Sequence, residues 1–144
     1  MIKFLGMPYP IQQHARGYFH VQFGLEQIKS DLLTLVLTNR GERVMLPTFG
    51  VSLRDFIFEL NDDILVQEIR QRLIDQINLW EPRVVIENIS ITPMPGEDEY
   101  GDDLDPTQTT EDRHYILLIR IEFLDPENIR EVQELVLEIP VGGA

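Results

Sequence analysis

Apolar residues recur at helical spacing in two stretches of this chain and then alternate at strand spacing in three more. Leu25, Ile28, Leu32, Leu35 and Val36 share one face of a segment running to about Thr38, which predicts a first amphipathic helix. Glu26 and Lys29 lie on its other side, three residues apart and within attracting reach. Arg40 is placed to complement the helix C-terminus, and Gly41 to stop it. A loop over 41–50 follows, and then a short helix from about Ser52 to Glu59, with Ser52 as N-cap and Asp55 at the third position. The second long helix begins near Asn61-Asp62-Asp63, whose side chains suit both a cap and the helix dipole. Leu65, Ile69, Leu73, Ile77 and Trp80 form its stripe. Pro82 ends it, because proline pushes the residue before it out of helical geometry.

The second half changes period. Residues 84–92 start apolar on both faces with Val84, Val85 and Ile86, and then alternate through Ile89 and Ile91. From His114 to Leu124, Tyr115, Leu117, Ile119, Ile121 and Phe123 point one way, with His114, Arg120 and Glu122 opposite. From Gln133 to Ile139, Leu135, Leu137 and Ile139 face in while Glu134 and Glu138 face out. Asp125-Pro126-Glu127-Asn128 is turn chemistry between the last two strands. The predicted fold is therefore α+β: an N-terminal arm, then two long helices and a short one packed on a three-stranded antiparallel sheet with open edges. Two units are expected, an extended arm over 1–24 and a single domain over 25–144.

The arm and one long loop stand outside this periodic frame. Gly6, Pro8, Pro10, Gly17 and Gly24 disfavour regular structure over 1–24, yet the segment carries Phe4, Tyr9, Tyr18, Phe19 and Phe23. An arm so rich in aromatics either folds back over its own core or docks on a partner. The connection over 93–113 is acidic and long enough to be a solvated excursion. Its Asp103, Asp105, Thr107 and Thr109 place oxygens at alternate positions, but the glycine and closing glutamate of a calcium loop are missing, so no metal is expected there.

Composition narrows the partners. Twenty-five acids against twelve bases give the 144 residues a net charge of -13, which repels nucleic acid phosphates and anionic membranes. Neither nucleic acid nor membrane insertion is expected. All the bases except Lys3 and Lys29 are arginine, whose planar fork suits protein contacts, although compositional drift gives the same bias. Without cysteine there is no disulfide framework and no thiolate metal site, which fits assembly in a cytoplasm. Met1 to Met7 is too short an apolar run for a signal peptide.

Catalytic signatures are sparse. No phosphate-cradling glycine loop, zinc motif or nucleophile elbow occurs, and His14, His20 and His114 are too scattered to form a ligand set. No cofactor is expected. The one enzymatic idea is a glycosidase using two of Glu42, Glu59 and Glu81, each at an element end beside apolar residues. Glu81-Pro82-Arg83 is more informative. Proline fixes the backbone between a carboxylate and a guanidinium at the helix-to-strand joint, so the pair either closes an internal bridge or reaches a partner.

With these segments identified, the chain resembles the baseplate wedge, or sheath-initiator, family of contractile phage tails, which has relatives in type VI secretion baseplates and extracellular injection particles. The matching residues are Leu37-Thr38, Gly41-Glu42-Arg43, Pro47, Phe49-Gly50 and Phe58-Glu59, followed by a helix ending in Trp80-Glu81-Pro82-Arg83. Order and spacing agree together from about Leu25 to Ile139. The resemblance implies a non-catalytic structural role, with Glu81, Pro82 and Arg83 contacting the helical core bundle of neighbouring wedge proteins. It makes the loop carrying Gly41, Glu42, Arg43, Pro47, Phe49 and Gly50 either structural or part of that interface. It further implies that the C-terminal hairpin, with Gln133, Leu135, Leu137 and Ile139, joins strands from the first ring of sheath subunits. Six copies per particle near the tail tube are implied, assembled in the bacterial cytoplasm and then held in the baseplate. The open sheet edges agree independently, because an exposed edge recruits strands by backbone pairing. Two other readings stay open: a peptidoglycan-cleaving, lysozyme-like glycosidase, and a stand-alone regulatory binding protein of the same fold.

Overall fold

Four apolar residues a turn apart decide where the second long helix lies. In the computed structural model, which describes residues 5–56, 63–95, 115–124 and 131–141, this helix is α2, Asp63–Trp80. Its Leu65, Ile69, Leu73 and Ile77 are all buried, while Ile64 and Leu79, off the stripe, face solvent. Each such burial contributes about 1.5–3 kcal/mol. The stripe packs into one core with Ile28, Leu32, Leu35 and Val36 of α1, Leu25–Leu37. The first helix therefore buries the face that its spacing predicts.

How α1 ends differs from the expectation. Gly24, at φ 65°, starts the helix, but the stop is Thr38, which turns extended while its N–H donates to Thr34 O at 3.1 Å. No basic residue lies in the last turn. Arg40 is beyond the helix, and its backbone N–H donates to Ser52 Oγ at 2.6 Å. Gly41 does not terminate α1; at φ 88° its N–H reaches Pro47 O at 2.9 Å and closes the following loop.

Of the expected short helix, residues 52–56 are described. A single 3-10 turn spans Leu53–Phe56, and Ser52 sits before it at φ 58°. Its hydroxyl accepts from Arg40 rather than capping, because the chain must turn back sharply onto the end of α1. Val51 N–H donates to Leu35 O and Ser52 N–H to Thr38 O, both at 3.3 Å. Phe58, Glu59, Asn61 and Asp62 lie outside the described residues, as does most of the acidic loop, including the candidate calcium oxygens.

Strands β3 (Val85–Pro95), β4 (Tyr115–Leu124) and β5 (Val132–Val141) form an antiparallel sheet in the order β3-β4-β5. In the central strand β4, Leu117, Ile119, Ile121 and Phe123 are buried against the helices, as their alternation requires. Register places Ile91, Ile119 and Leu137 in one row and Ile89, Ile121 and Leu135 in the next. A β-bulge between Ile86 and Asn88 inserts an extra residue. That is why Ile86 and Ile89, three apart, pair with the inward Phe123 and Ile121.

Residues 5–23 form a ribbon. Strand β1 (Leu5–Gly6) pairs with β2 (Gln22–Phe23) antiparallel, and Gln13 bridges to Phe19 further out. The ribbon rests on α1 through a 2.9 Å hydrogen bond from Ser30 Oγ to Gln22 Oε1. It folds back over the domain, yet Leu5, Ile11, Tyr18, Phe19 and Phe23 remain exposed.

Candidate functional site

Proline shapes the turn that follows α2. Glu81 N–H still donates to Ile77 O at 2.8 Å, so the helix ladder runs to its last possible donor before Pro82, which has none. Val84 N–H then donates to Glu81 O at 3.1 Å, closing a four-residue turn with Pro82 at the position a β-turn favours for proline. The turn aims Glu81 inward, leaves Pro82 exposed and leaves Arg83 half-buried.

Glu81 is only 6% exposed, so its charge needs a partner. Arg83 supplies it in fork geometry: Nε donates to Glu81 Oε1 and Nη2 to Glu81 Oε2 at 2.7 Å. The same Nη2 donates to Asp31 Oδ2 of α1 at 3.0 Å. Gln27, one turn before Asp31, donates to its Oδ1 at 2.6 Å. Burial pushes the Asp31 carboxyl above its ordinary value of 3.8, and the Glu81 charge adds to the rise, while hydrogen bonds from Gln27 and Arg83 oppose it. Hydrogen bonding to Glu81 raises the Arg83 guanidinium further into its charged form.

The motif loop is braced from two sides. Asn39 donates to the Glu42 carboxylate from its backbone N–H at 2.9 Å and from Nδ2 at 2.7 Å, which lowers the Glu42 carboxyl below its ordinary 4.5. Arg43 lays its guanidinium over the Phe49 ring, 3.9 Å from the centroid. Phe49 meets Trp80 edge-on at 5.2 Å, and Trp80 Nε1 donates to Gln76 Oε1 at 3.2 Å. Gly50, at φ 111°, packs so closely on α1 that a Cβ there would stand 2.3 Å from Thr38 O. Val44 and Met45 at the loop tip project into solvent.

These pieces meet. A cleft of about 740 Å³ is walled on one side by the ribbon from Leu5 to Tyr9 and on the other by Gln27, Asp31, Arg43, Trp80 and Glu81-Pro82-Arg83. The structure thus brings the Glu-Pro-Arg turn and Arg43 of the motif loop into one site. It keeps Gln133, Leu135, Leu137 and Ile139 apart on β5, where Leu135 and Leu137 are buried in the chain's own core. Asp31, Gln27 and Gly6 were not singled out by sequence reasoning. The Gln27/Asp31 spacing of four on a predicted helix was the available signal for two of them.

Among the described residues no group of three or more His, Cys, Asp or Glu side chains could hold a metal ion, and no helix is long and apolar enough to cross a membrane. For the glycosidase idea, Glu81 is engaged by both nitrogens of the Arg83 fork and Glu42 is held in its ionised form, whereas a general acid needs a raised carboxyl. Glu59 lies outside the described residues.

Comparison with known proteins agrees with this architecture. A crystal structure named for a tail lysozyme from Geobacter sulfurreducens is similar with a TM-score of 0.60 and 24% identity, over 83% of this chain and 92% of that one. The six-fold symmetrised cryo-EM baseplate of the anti-feeding prophage contains a chain with a TM-score of 0.60 and 20% identity, over 94% of this chain and 84% of its own. At these identities both likenesses speak to the fold. In sequence, the baseplate wedge protein gp25 of Enterobacteria phage T4 is 24% identical over 116 residues, 81% of this chain and 75% of the phage protein. The family model of baseplate wedge protein gp25 matches residues 23–123, from the foot of the ribbon through β4, and the chain therefore belongs to the gp25 baseplate wedge family of contractile tails.

Proposed function

We propose that this baseplate wedge component acts without catalysis as a connector, docking on neighbouring wedge proteins through the exposed side of Glu81-Pro82-Arg83 and on the first sheath ring through β5. The observation that carries the reading is the position of β5 at the edge of the sheet, with β4 on one side and no strand on the other among the described residues. A free ladder of N–H and C=O groups accepts an added strand, and the exposed Glu134 and Glu138 discourage indiscriminate pairing. At the other site, the Glu81 carboxylate and the Arg83 fork satisfy each other, so the surface offered to a wedge protein is Pro82, the exposed part of Arg83 and the cleft beside them. In this reading six copies assemble in the bacterial cytoplasm and end near the tube in the baseplate of a tail or injection particle.

Hydrogen exchange tests the sheath contact. Amides of residues 132–141 not bonded to β4 exchange fast in the isolated chain and become protected in assembled particles. Equal exchange in the two states rules out strand addition. The wedge contact is tested by Pro82→Arg, which adds bulk at an exposed position and leaves the ion triad in place. It should lower capture of wedge proteins at least tenfold while the chain stays folded, with the melting temperature falling only by the small loss of the turn proline; undiminished capture refutes the contact.

A further inference from the structure

We infer that the N-terminal ribbon, residues 5–23, is a displaceable strap over the wedge-docking cleft, closed in the free chain and lifted when a partner binds. The inference rests on the reading of Glu81-Pro82-Arg83 as a docking face and adds its regulation.

Four observations carry it. The strap's seat is imperfect: the Gly6 backbone lies so close over the Gln27 amide that a Cβ at Gly6 would stand 2.2 Å from Nε2 and 2.6 Å from Oε1. Gln27 is 5% exposed, and with its Nε2 committed to Asp31, its buried Oε1 has no hydrogen-bond partner. A buried acceptor left unpaired opposes the closed state, and lifting Gly6 away lets that oxygen find a donor. The seat is built from short pieces, among them a two-residue ladder within the ribbon, the Gly6–Gln27 contact and the Ser30–Gln22 hydrogen bond to α1. Short contacts of this kind open well below the cost of global unfolding.

The strap carries wet apolar side chains, Leu5 and Ile11 along the cleft and Tyr18 and Phe19 further out. Leu5, Ile11, Tyr18 and Phe19 are each more than 60% exposed, so closing the strap buries little of the surface it carries. Finally, its Leu5–Tyr9 stretch forms the wall facing Pro82 and Arg83 across the cleft. A partner entering that cleft displaces the ribbon, frees the Gln27 acceptor and meets the apolar side chains that the ribbon already exposes.

The chain has no cysteine, so a reversible lock can be introduced cleanly. A Cβ at Gly6 would lie 2.3 Å from Gln27 Cδ, itself two bonds from Gln27 Cβ. Gly6→Cys with Gln27→Cys therefore falls within reach of a disulfide, whose Cβ atoms stand about 3.8 Å apart. Once thiol titration shows the lock closed, the full chain is mixed with wedge proteins from the same particle, with and without reductant. The oxidised form should be captured at least tenfold less than the reduced form. Equal capture overturns the strap. Gly6→Val, whose side chain collides with Gln27, should speed proteolysis within 5–23 and strengthen capture; slower proteolysis or weaker capture also overturns it. Failure of Pro82→Arg to weaken capture sinks the docking face itself, whereas an indifferent lock beside an effective Pro82→Arg sinks only the strap.

Discussion

Arg83 Nη2 donates to Asp31 Oδ2 at 3.0 Å across 52 residues of chain, tying the middle of α1 to the turn that ends α2. The same guanidinium neutralises Glu81, so one arginine serves two carboxylates of unequal burial. Removing it leaves the more deeply buried acid without a counter-charge. Arg83→Ala should cost about 3 kcal/mol, in the range for breaking a buried pair. Asp31→Asn keeps a hydrogen-bond acceptor and should cost about 1 kcal/mol. Urea unfolding of both single variants and the double variant gives the coupling between them. A coupling near zero would show that Arg83 acts on Glu81 alone.

Asp31 and Glu42 should shape the acid limb of the stability curve in opposite senses. Glu42 has a depressed carboxyl in the folded chain, so its contribution is present above 4.5 and is lost as pH falls through the folded value. The advantage of the native chain over Glu42→Gln should therefore shrink on acidification. Asp31 has a raised carboxyl, so the folded state takes up a proton before the unfolded state does. Relative to Asp31→Asn, the native chain should gain stability as pH falls from the folded value toward 3.8. Denaturation midpoints of the three proteins across the acid range give the two signs directly.

Those two acids also mark how far the sequence could be read. The stripe of Leu65, Ile69, Leu73 and Ile77 and the alternation of Leu117 to Phe123 were legible because burial repeats with the period of the element itself. The Pro82 stop was legible because it is local chemistry. Asp31 was legible only as one half of a Gln27/Asp31 pair four apart, since its ionic partner Arg83 stands 52 residues away. The positive φ of Ser52 was hidden for a related reason: serine before a helix reads as a cap, and only the packing of the loop on Thr38 and Arg40 forces the left-handed turn. The bulge after Ile86 disguised a strand whose faces are in fact well separated.

The two loop glycines should respond unequally to alanine. Both have positive φ, but a Cβ at Gly41 meets nothing within 4 Å whereas one at Gly50 strikes Thr38 O. Gly41→Ala should cost about 1–2 kcal/mol, the left-handed penalty alone. At Gly50 the backbone must also move, adding strain of order 1–3 kcal/mol. Because that movement pulls Phe49 from Trp80, Gly50→Ala should also change the fluorescence of the chain's single tryptophan. Gly41→Ala should leave that emission as it is.

On the outer face of the sheet, Glu122 stands directly opposite Glu134, a repulsive register for two acids. Arg120, two residues from Glu122 on the same face, donates from Nε to Glu134 Oε1 at 2.8 Å and relieves it. Both partners are more than 40% exposed, so the bridge alone is worth little. Its removal matters more because Glu122 and Glu134 are then left facing each other without a cation. Arg120→Ala should destabilise the chain by about 0.5–1 kcal/mol at low salt. Raising ionic strength toward 1 M, where the screening length falls to about 3 Å, should erase most of that difference. Arg120→Ala with Glu134→Gln should recover the loss without added salt, since one charge of the opposed pair is gone. A penalty that persists at high salt would instead locate the contribution of Arg120 in the packing of its stem on the sheet.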